Sequence, residues 1–220
     1  MTMLRVTNRS GKVTVTGEDR DDVVVERGPQ AEVDADGAVT VTGRSGAIVV
    51  RCPAGTDIRI GTGSGNVMLR GRLGDARATT GSGTIEVEEV GCLDARTGSG
   101  SVAVEVCAGE CRLHAGSGKV RIGRAGEIDV DVRSGSVVAG EIAGGKVRAG
   151  SGKVELGLSE AGELEVKAHS GSVRVTVPEG LRPKTELNSQ SGRVRCDCEA
   201  GKDGEIKVKT ASGSIVVDSR

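Results

Sequence analysis

The chain has no Phe, Tyr or Trp among its 220 residues. A globular core of this size ordinarily draws much of its buried area from aromatic rings. Their absence predicts an interior too narrow and too repetitive to admit one. Charge of one sign is also missing, with 30 Lys and Arg against 31 Asp and Glu and a net charge of -1. Without a basic excess or stacking aromatics, nucleic acid is excluded as a partner. No run of 18 apolar residues occurs, so no helical membrane span is expected. The opening Met1-Thr2-Met3-Leu4-Arg5-Val6 lacks the basic end, apolar stretch and cleavage site of a signal peptide. A cytoplasmic location is the expectation.

Histidine is scarce too, with His114 and His169 alone. They lie on outward positions of different repeats and do not make the three converging ligands a catalytic zinc requires. Six Cys are present: Cys52, Cys92, Cys107, Cys111, Cys196 and Cys198. In a chain of this length without an export signal, free thiols are expected over a disulfide framework. Cys52, Cys111, Cys196 and Cys198 fall on inward positions, where Cys packs as a small hydrophobe. Cys92 and Cys107 lie near the other corner. No metal, cofactor or catalytic residue is assigned.

What the chain does have is 36 Gly and a motif that it keeps rewriting. Thr97-Gly98-Ser99-Gly100-Ser101-Val102 recurs as Thr62-Gly63-Ser64-Gly65-Asn66-Val67, as Ala115-Gly116-Ser117-Gly118-Lys119-Val120 and in further variants. Ser-Gly occurs eleven times, from Ser10 to Ser212, at intervals of 17 to 21 residues after Ser45 and with a first gap of 35. Counted from each Ser, position +3 is Val or Ile in all eleven repeats, residues that suit a half-buried strand. Positions +5 and -4 are nearly as apolar and alternate with polar residues at period two, the signature of strands. Each repeat therefore holds two short strands, one on either side of a Ser-Gly kink. The small residues at -2 and the Ser itself are expected to fill the inner corner, with stacked hydroxyls hydrogen-bonding one another.

The outward position -5 reads Arg77, Asp94, Arg112, Asp129, Lys146, Glu165 in successive repeats. Parallel strands lie about 4.8 Å apart, so stacking in register places each charge between two opposite ones. Opposite neighbours contribute roughly 0.2–1 kcal/mol per pair. The pattern lapses where Glu186 follows Glu165 before Lys207, and there the repeats lengthen to 21 residues. The fold expected is all-β: a single-chain parallel β-solenoid (β-helix) over 1–220, roughly twelve coils of 17–21 residues. Residues 1–44 make irregular coils that can serve as a cap, and residues 45–220 make the regular repeats.

The Thr-Gly-Ser-Gly-x-Val units, the opening Asn8-Arg9-Ser10-Gly11-Lys12-Val13-Thr14-Val15 and Arg51-Cys52-Pro53-Ala54-Gly55-Thr56 resemble the bacterial "putative adhesin" family of β-strand-repeat domains of unknown function. More distantly the chain is similar to bactofilins, cytoskeletal β-helices that polymerise end to end. Both resemblances imply a β-helix, and neither brings a catalytic residue.

Solenoid enzymes leave marks that are absent here. There is no six-residue aliphatic recurrence of hexapeptide acyltransferases, no aromatic to stack a sugar and no Gly-Gly-x-Gly-x-Asp calcium repeat. Gly98-x-Gly100 is followed by a strand and not by the helix a phosphate loop needs. The Thr at -2 lie in phase with the inward apolar positions, unlike the outward array of an ice-binding face. The reading is a non-enzymatic structural or interaction protein, adhesin-like or scaffold, self-assembling through the solenoid ends into an oligomer or filament, or binding a protein or envelope partner. The competing readings are a carbohydrate-active β-helix enzyme and a cytoplasmic partner-binding module linked to envelope stress. Both ends of the chain fall on strands without a covering helix, so uncovered edges are expected there.

Overall fold

The computed structural model describes residues 3–35 and 37–220; Met1 and Thr2, with which the reading of the chain's start begins, lie outside the described residues, as does Asp36. The described residues contain strands and no helix. In chain order these are β1 (Met3–Ser10), β2 (Val13–Glu18), β3 (Val24–Arg27), β4 (Glu32–Val33), β5 (Val39–Gly43), β6 (Ile48–Pro53) and β7 (Asp57–Ser64). Then come β8 (Val67–Leu73), β9 (Ala76–Ser82), β10 (Ile85–Val90), β11 (Leu93–Ser99), β12 (Val102–Cys107) and β13 (Cys111–Ser151), the last an unbroken run through several corners. The chain finishes with β14 (Val154–Leu158), β15 (Glu163–Ser170), β16 (Val173–Val177), β17 (Lys184–Ser191), β18 (Val194–Cys196), β19 (Glu205–Ser212) and β20 (Ile215–Ser219).

The two strands of each repeat stack on those of its neighbours in parallel and in register. Ala95 pairs with Ala78 on one side and Leu113 on the other, and Val102 with Ile85 and Val120. The apolar positions at -4, +3 and +5 line one continuous core from Leu4 to Val217. Branched aliphatics suit this interior because each methyl packs between identical neighbours above and below, and each such side chain contributes roughly 1.5–3 kcal/mol when buried.

The corners differ from expectation in one respect. The residue at -2 does point inward: Thr62, Thr80, Thr97 and Thr210 are all buried. The Ser does not. Ser45, Ser64, Ser82, Ser99, Ser117 and Ser134 are exposed, because the kink between -2 and +3 turns the Ser to the outside of the bend. Nor do the stacked hydroxyls bond one another. Thr80 Oγ1 donates to the carbonyl of Gly65 at 3.1 Å and Thr97 Oγ1 to that of Gly83 at 3.3 Å, each reaching the glycine corner of the adjacent coil.

Those corner glycines are required by close approach. A Cβ on Gly118 would lie 1.9 Å from the Gly100 carbonyl oxygen, and one on Gly135 1.8 Å from that of Gly118. Most also hold a left-handed backbone, φ +130° at Gly118, which L side chains resist.

The glycine ladder exposes the order of the coils, and it is not the order of the chain. Gly11 abuts Gly46, Gly65 abuts Gly11, Gly213 abuts Gly171 and Gly192 abuts Gly213. Strand pairing agrees. β1 lies between β5 and β7, and β2 between β6 and β8. At the far end β19 lies between β15 and β17, and β20 between β16 and β18. The first and last coils are thus each slotted one place in from an end of the stack. The expectation that the chain's own terminal strands form bare edges is corrected: both are paired on two sides. The long spacings have their explanation here. Connection 178–183 must step across two coil heights, roughly 9.6 Å, and 197–204 then steps one height back, whereas 159–162 steps one height forward.

Slotting also repairs the charge pattern. In space the outward column runs Arg77, Asp94, Arg112, Asp129, Lys146, Glu165, Lys207, Glu186, because Lys207 pairs with both Glu165 and Glu186. The lapse read along the chain vanishes. At the other end Arg5, Arg59 and Arg77 follow one another in line, so charge does not account for the slotting of β1.

Candidate functional site

Three places in the molecule gather chemistry: the thiols, the outer grooves and the two ends of the stack. Among the thiols, Cys52, Cys107 and Cys111 are buried, and all six are free. Burial pushes the Cys52 thiol above its ordinary range. The Cys107 thiol is drawn downward, chiefly by its hydrogen bond with Cys111, which correspondingly holds its own proton. Enclosed among core residues, this pair is part of the packing, and Cys107 also donates to the Glu110 carbonyl at 3.5 Å.

Cys196 and Cys198 depart from their expected burial. They occupy inward columns, yet Cys196 is exposed and Cys198 only half-buried, with their sulfurs 2.9 Å apart. Cys198 is pushed up to about 11, first by burial and then by its bond to Cys196. Their coil is the last of the stack, and no strand follows to cover the inward face. Leu187 at -4 and Val194 at +3 share this fate: they too are less buried than their counterparts, Val194 being 45% exposed.

The histidines stay apart. His114 is half-buried beside Arg96 and Asp131, and His169 is exposed several coils away. No group of three or more His, Cys, Asp or Glu that could hold a metal ion occurs among the described residues.

Glycine-floored grooves run along the outer faces. One of about 680 Å³ has Gly140 and Gly157 in its floor and Glu141, Glu155, Arg174 and Arg220 at its walls. Its carboxylates are committed to cations. Glu141 pairs with Arg124 at 2.8 Å, and Glu155 pairs with Lys153, whose hydrogen bond holds the Glu155 carboxyl below the usual range. A general acid for glycoside cleavage needs the opposite shift.

The two ends of the stack differ. At one, β3 lies antiparallel on β6 and β4 antiparallel on β5, so the end coil is covered and Val41, Ile48 and Val50 are at most 1% exposed. At the other, among the described residues, β17 pairs only with β19 and β18 only with β20. Sequence reading missed this open end. Its signal was present in the broken sign alternation at Glu186, which marks a coil displaced outward from its place in the chain.

Fold and site together define a repeat protein of the parallel β-solenoid kind, capped at one end and open at the other. The family model described as Toastrack DUF4097 matches residues 2–219, and the chain belongs to that family. Among solved structures it is similar to the "putative cell adhesion protein" from Clostridium sporogenes, at 10% identity and a TM-score of 0.23, over 100% of this chain and 92% of the other. No match is found among curated proteins. Among the described residues no helix is long and apolar enough to cross a membrane.

Proposed function

We propose that the protein is a non-enzymatic structural or interaction module, a scaffold or adhesin-like β-solenoid that works through its outer faces and its open end. The observation that carries this reading is the coil of β17 and β18, whose inward residues Leu187, Val194 and Cys196 match the core columns but have nothing stacked on them. An uncovered parallel edge of this kind is a template for strand addition. Membership of a family of unknown function is compatible with it. The paired carboxylates of the outer groove speak against the carbohydrate-active alternative, since Glu141 is engaged by Arg124 at 2.8 Å and Glu155 is held below the usual range by Lys153, the opposite of what a general acid needs. Six free thiols suit a reducing, cytoplasmic location. Incubation of the purified protein with a panel of glycans and glycosides tests the reading. No turnover is expected. Hydrolysis that disappears in Glu141→Gln or Glu155→Gln would replace it with an enzyme.

A further inference from the structure

We propose that the open end takes a second copy of the same chain, in a two-fold, tail-to-tail dimer joined by antiparallel pairing of β18 with the partner's β18 about Cys196. This rests on the reading of the open end as an interaction surface, and it names the occupant.

The backbone sets the register. Asp197 N–H donates inward to the Val217 carbonyl at 2.9 Å, and the Arg193 carbonyl accepts from Ile215 N–H at 2.8 Å. Alternation along the strand then turns the N–H and C=O of Val194 and Cys196 away from β20, toward the open edge. In an antiparallel pair, residues that face each other at a hydrogen-bonded position must both direct these groups at the partner. A two-fold centred on Cys196 satisfies that condition at the strand's end, setting Cys196 opposite the partner's Cys196 and bringing Val194 over the segment that follows the partner's β18.

The same register makes the outward side chains complementary. Arg195 comes opposite the partner's Asp197, and Asp197 opposite the partner's Arg195, so the segment Val194-Arg195-Cys196-Asp197-Cys198 reads as a charge palindrome. Within one chain these two groups already attract, at 2.7 Å, and that attraction holds both on the outer face of the strand. The inward face closes as well. Val194 and the two thiols of each copy would meet across the join and complete the core columns of both rods.

The covered end gives the assembly its limit. Head-to-tail growth needs two open ends, and here β3 and β4 occupy the other. They are short, carry Glu26, Arg27 and Glu32, and enclose Pro29, features that discourage further pairing. An isologous contact at a single open end closes on itself after two copies.

The test is sedimentation equilibrium of the full chain in reductant over a wide concentration range. A monomer–dimer equilibrium with no larger species is expected. Arg195→Asp alone and Asp197→Arg alone each set like charges across the two-fold and should weaken the dimer at least ~10-fold. The double variant R195D/D197R restores opposite pairs and should return to within about threefold of the parent. All of these side chains are exposed, so folding is not at stake. In a Cys92→Ser/Cys198→Ser background, added diamide should link Cys196 to the partner's Cys196. The two thiols lose two protons and two electrons, and the diazene is reduced to the hydrazine. Opposed residues about 5.5 Å apart at Cα lie within disulfide range.

A protein that stays monomeric, one that forms filaments, or a dimer indifferent to the charge reversals would each overturn the proposal. None of these is turnover of a glycan, the result that overturns the reading beneath it.

Discussion

The two ends of the rod carry the same inward pattern and meet opposite fates. Val41, Ile48 and Val50 of one end coil are as buried as any residue in the middle, whereas Leu187 of the other is half-buried and Val194 and Cys196 are exposed. The residue types are interchangeable, so the difference lies in what is stacked on them. At the covered end the 35-residue gap supplies β3 and β4, which turn antiparallel across the edge. At the open end the chain turns back inside the stack through 197–204, and among the described residues no strand lies across the edge of β17 and β18. A β-solenoid coil is therefore inward-facing by pattern but buried only by neighbours.

The largest effect should come from the ladder that both ends share. Gly118→Ala places a methyl 1.9 Å from the Gly100 oxygen at a left-handed φ of +130°. A loss on the order of 3–5 kcal/mol is expected in urea denaturation. Gly46, outermost at the covered end, has a φ of +93° but nothing within 4 Å of a Cβ, so Gly46→Ala should cost only about 1–2 kcal/mol. Equal losses would mean that backbone strain, and not contact between coils, makes the glycines necessary.

A second experiment makes the ends alike. Replacing residues 20–37 with a short Gly-Ser linker uncovers Ile48 and Val50 and gives the rod two open edges. Species larger than a dimer should then appear in sedimentation velocity, whereas the parent shows none. If the truncated protein associates no further than the parent, the cap is not what limits assembly.

Smaller effects should follow at the open end, where ion pairs attach the last coil. Glu205 lies 2.8 Å from Lys184 of that coil and 2.6 Å from Lys207. These two lysines, through their hydrogen bonds, hold its carboxyl down to about 2. A folded-state value below the ordinary carboxylate one stabilises the fold above about pH 4.5, and that contribution disappears as pH falls toward 2. Glu205→Gln should flatten the fall in melting temperature over this window, with the two proteins converging near pH 2.

A further change at the same coil is expected from Lys207→Glu, which would set three carboxylates in line with Glu165 and Glu186 and remove the cation beside Glu205. The melting temperature should drop slightly at low salt, and the difference should largely disappear at about 1 M salt, where surface charges are screened. No effect at low salt would mean that the outward column contributes nothing to the order of the coils.

Much of this was legible in the residues. The eleven invariant corner glycines, the β-branched +3 column and the period-two alternation correctly predicted stacked parallel strands, and the burial of Val102, Val120 and Val137 follows from them. The Ser column was misplaced because alternation, carried one residue too far, runs inward past the kink that reverses it. Cys196 and Cys198 were read as core because position alone identifies the inward column and not whether a coil lies beyond it. The sign lapse at Glu165, Glu186 and Lys207 was visible, yet a single chain order offered no place for it until the slotting of β19 was seen.

By itself, then, the amino-acid sequence determined what each coil is: two strands, a corner only glycine can fill, and an apolar lining without rings. Only the tertiary structure decided which coil lies on which, and so where the rod is closed and where it is open. The physical reason is that every parallel coil offers the same backbone hydrogen bonds to any other. Local pattern cannot rank the possible stacks. The choice falls to connections long enough to step over a coil, to charges that match across it, and to the two short strands that cover one end.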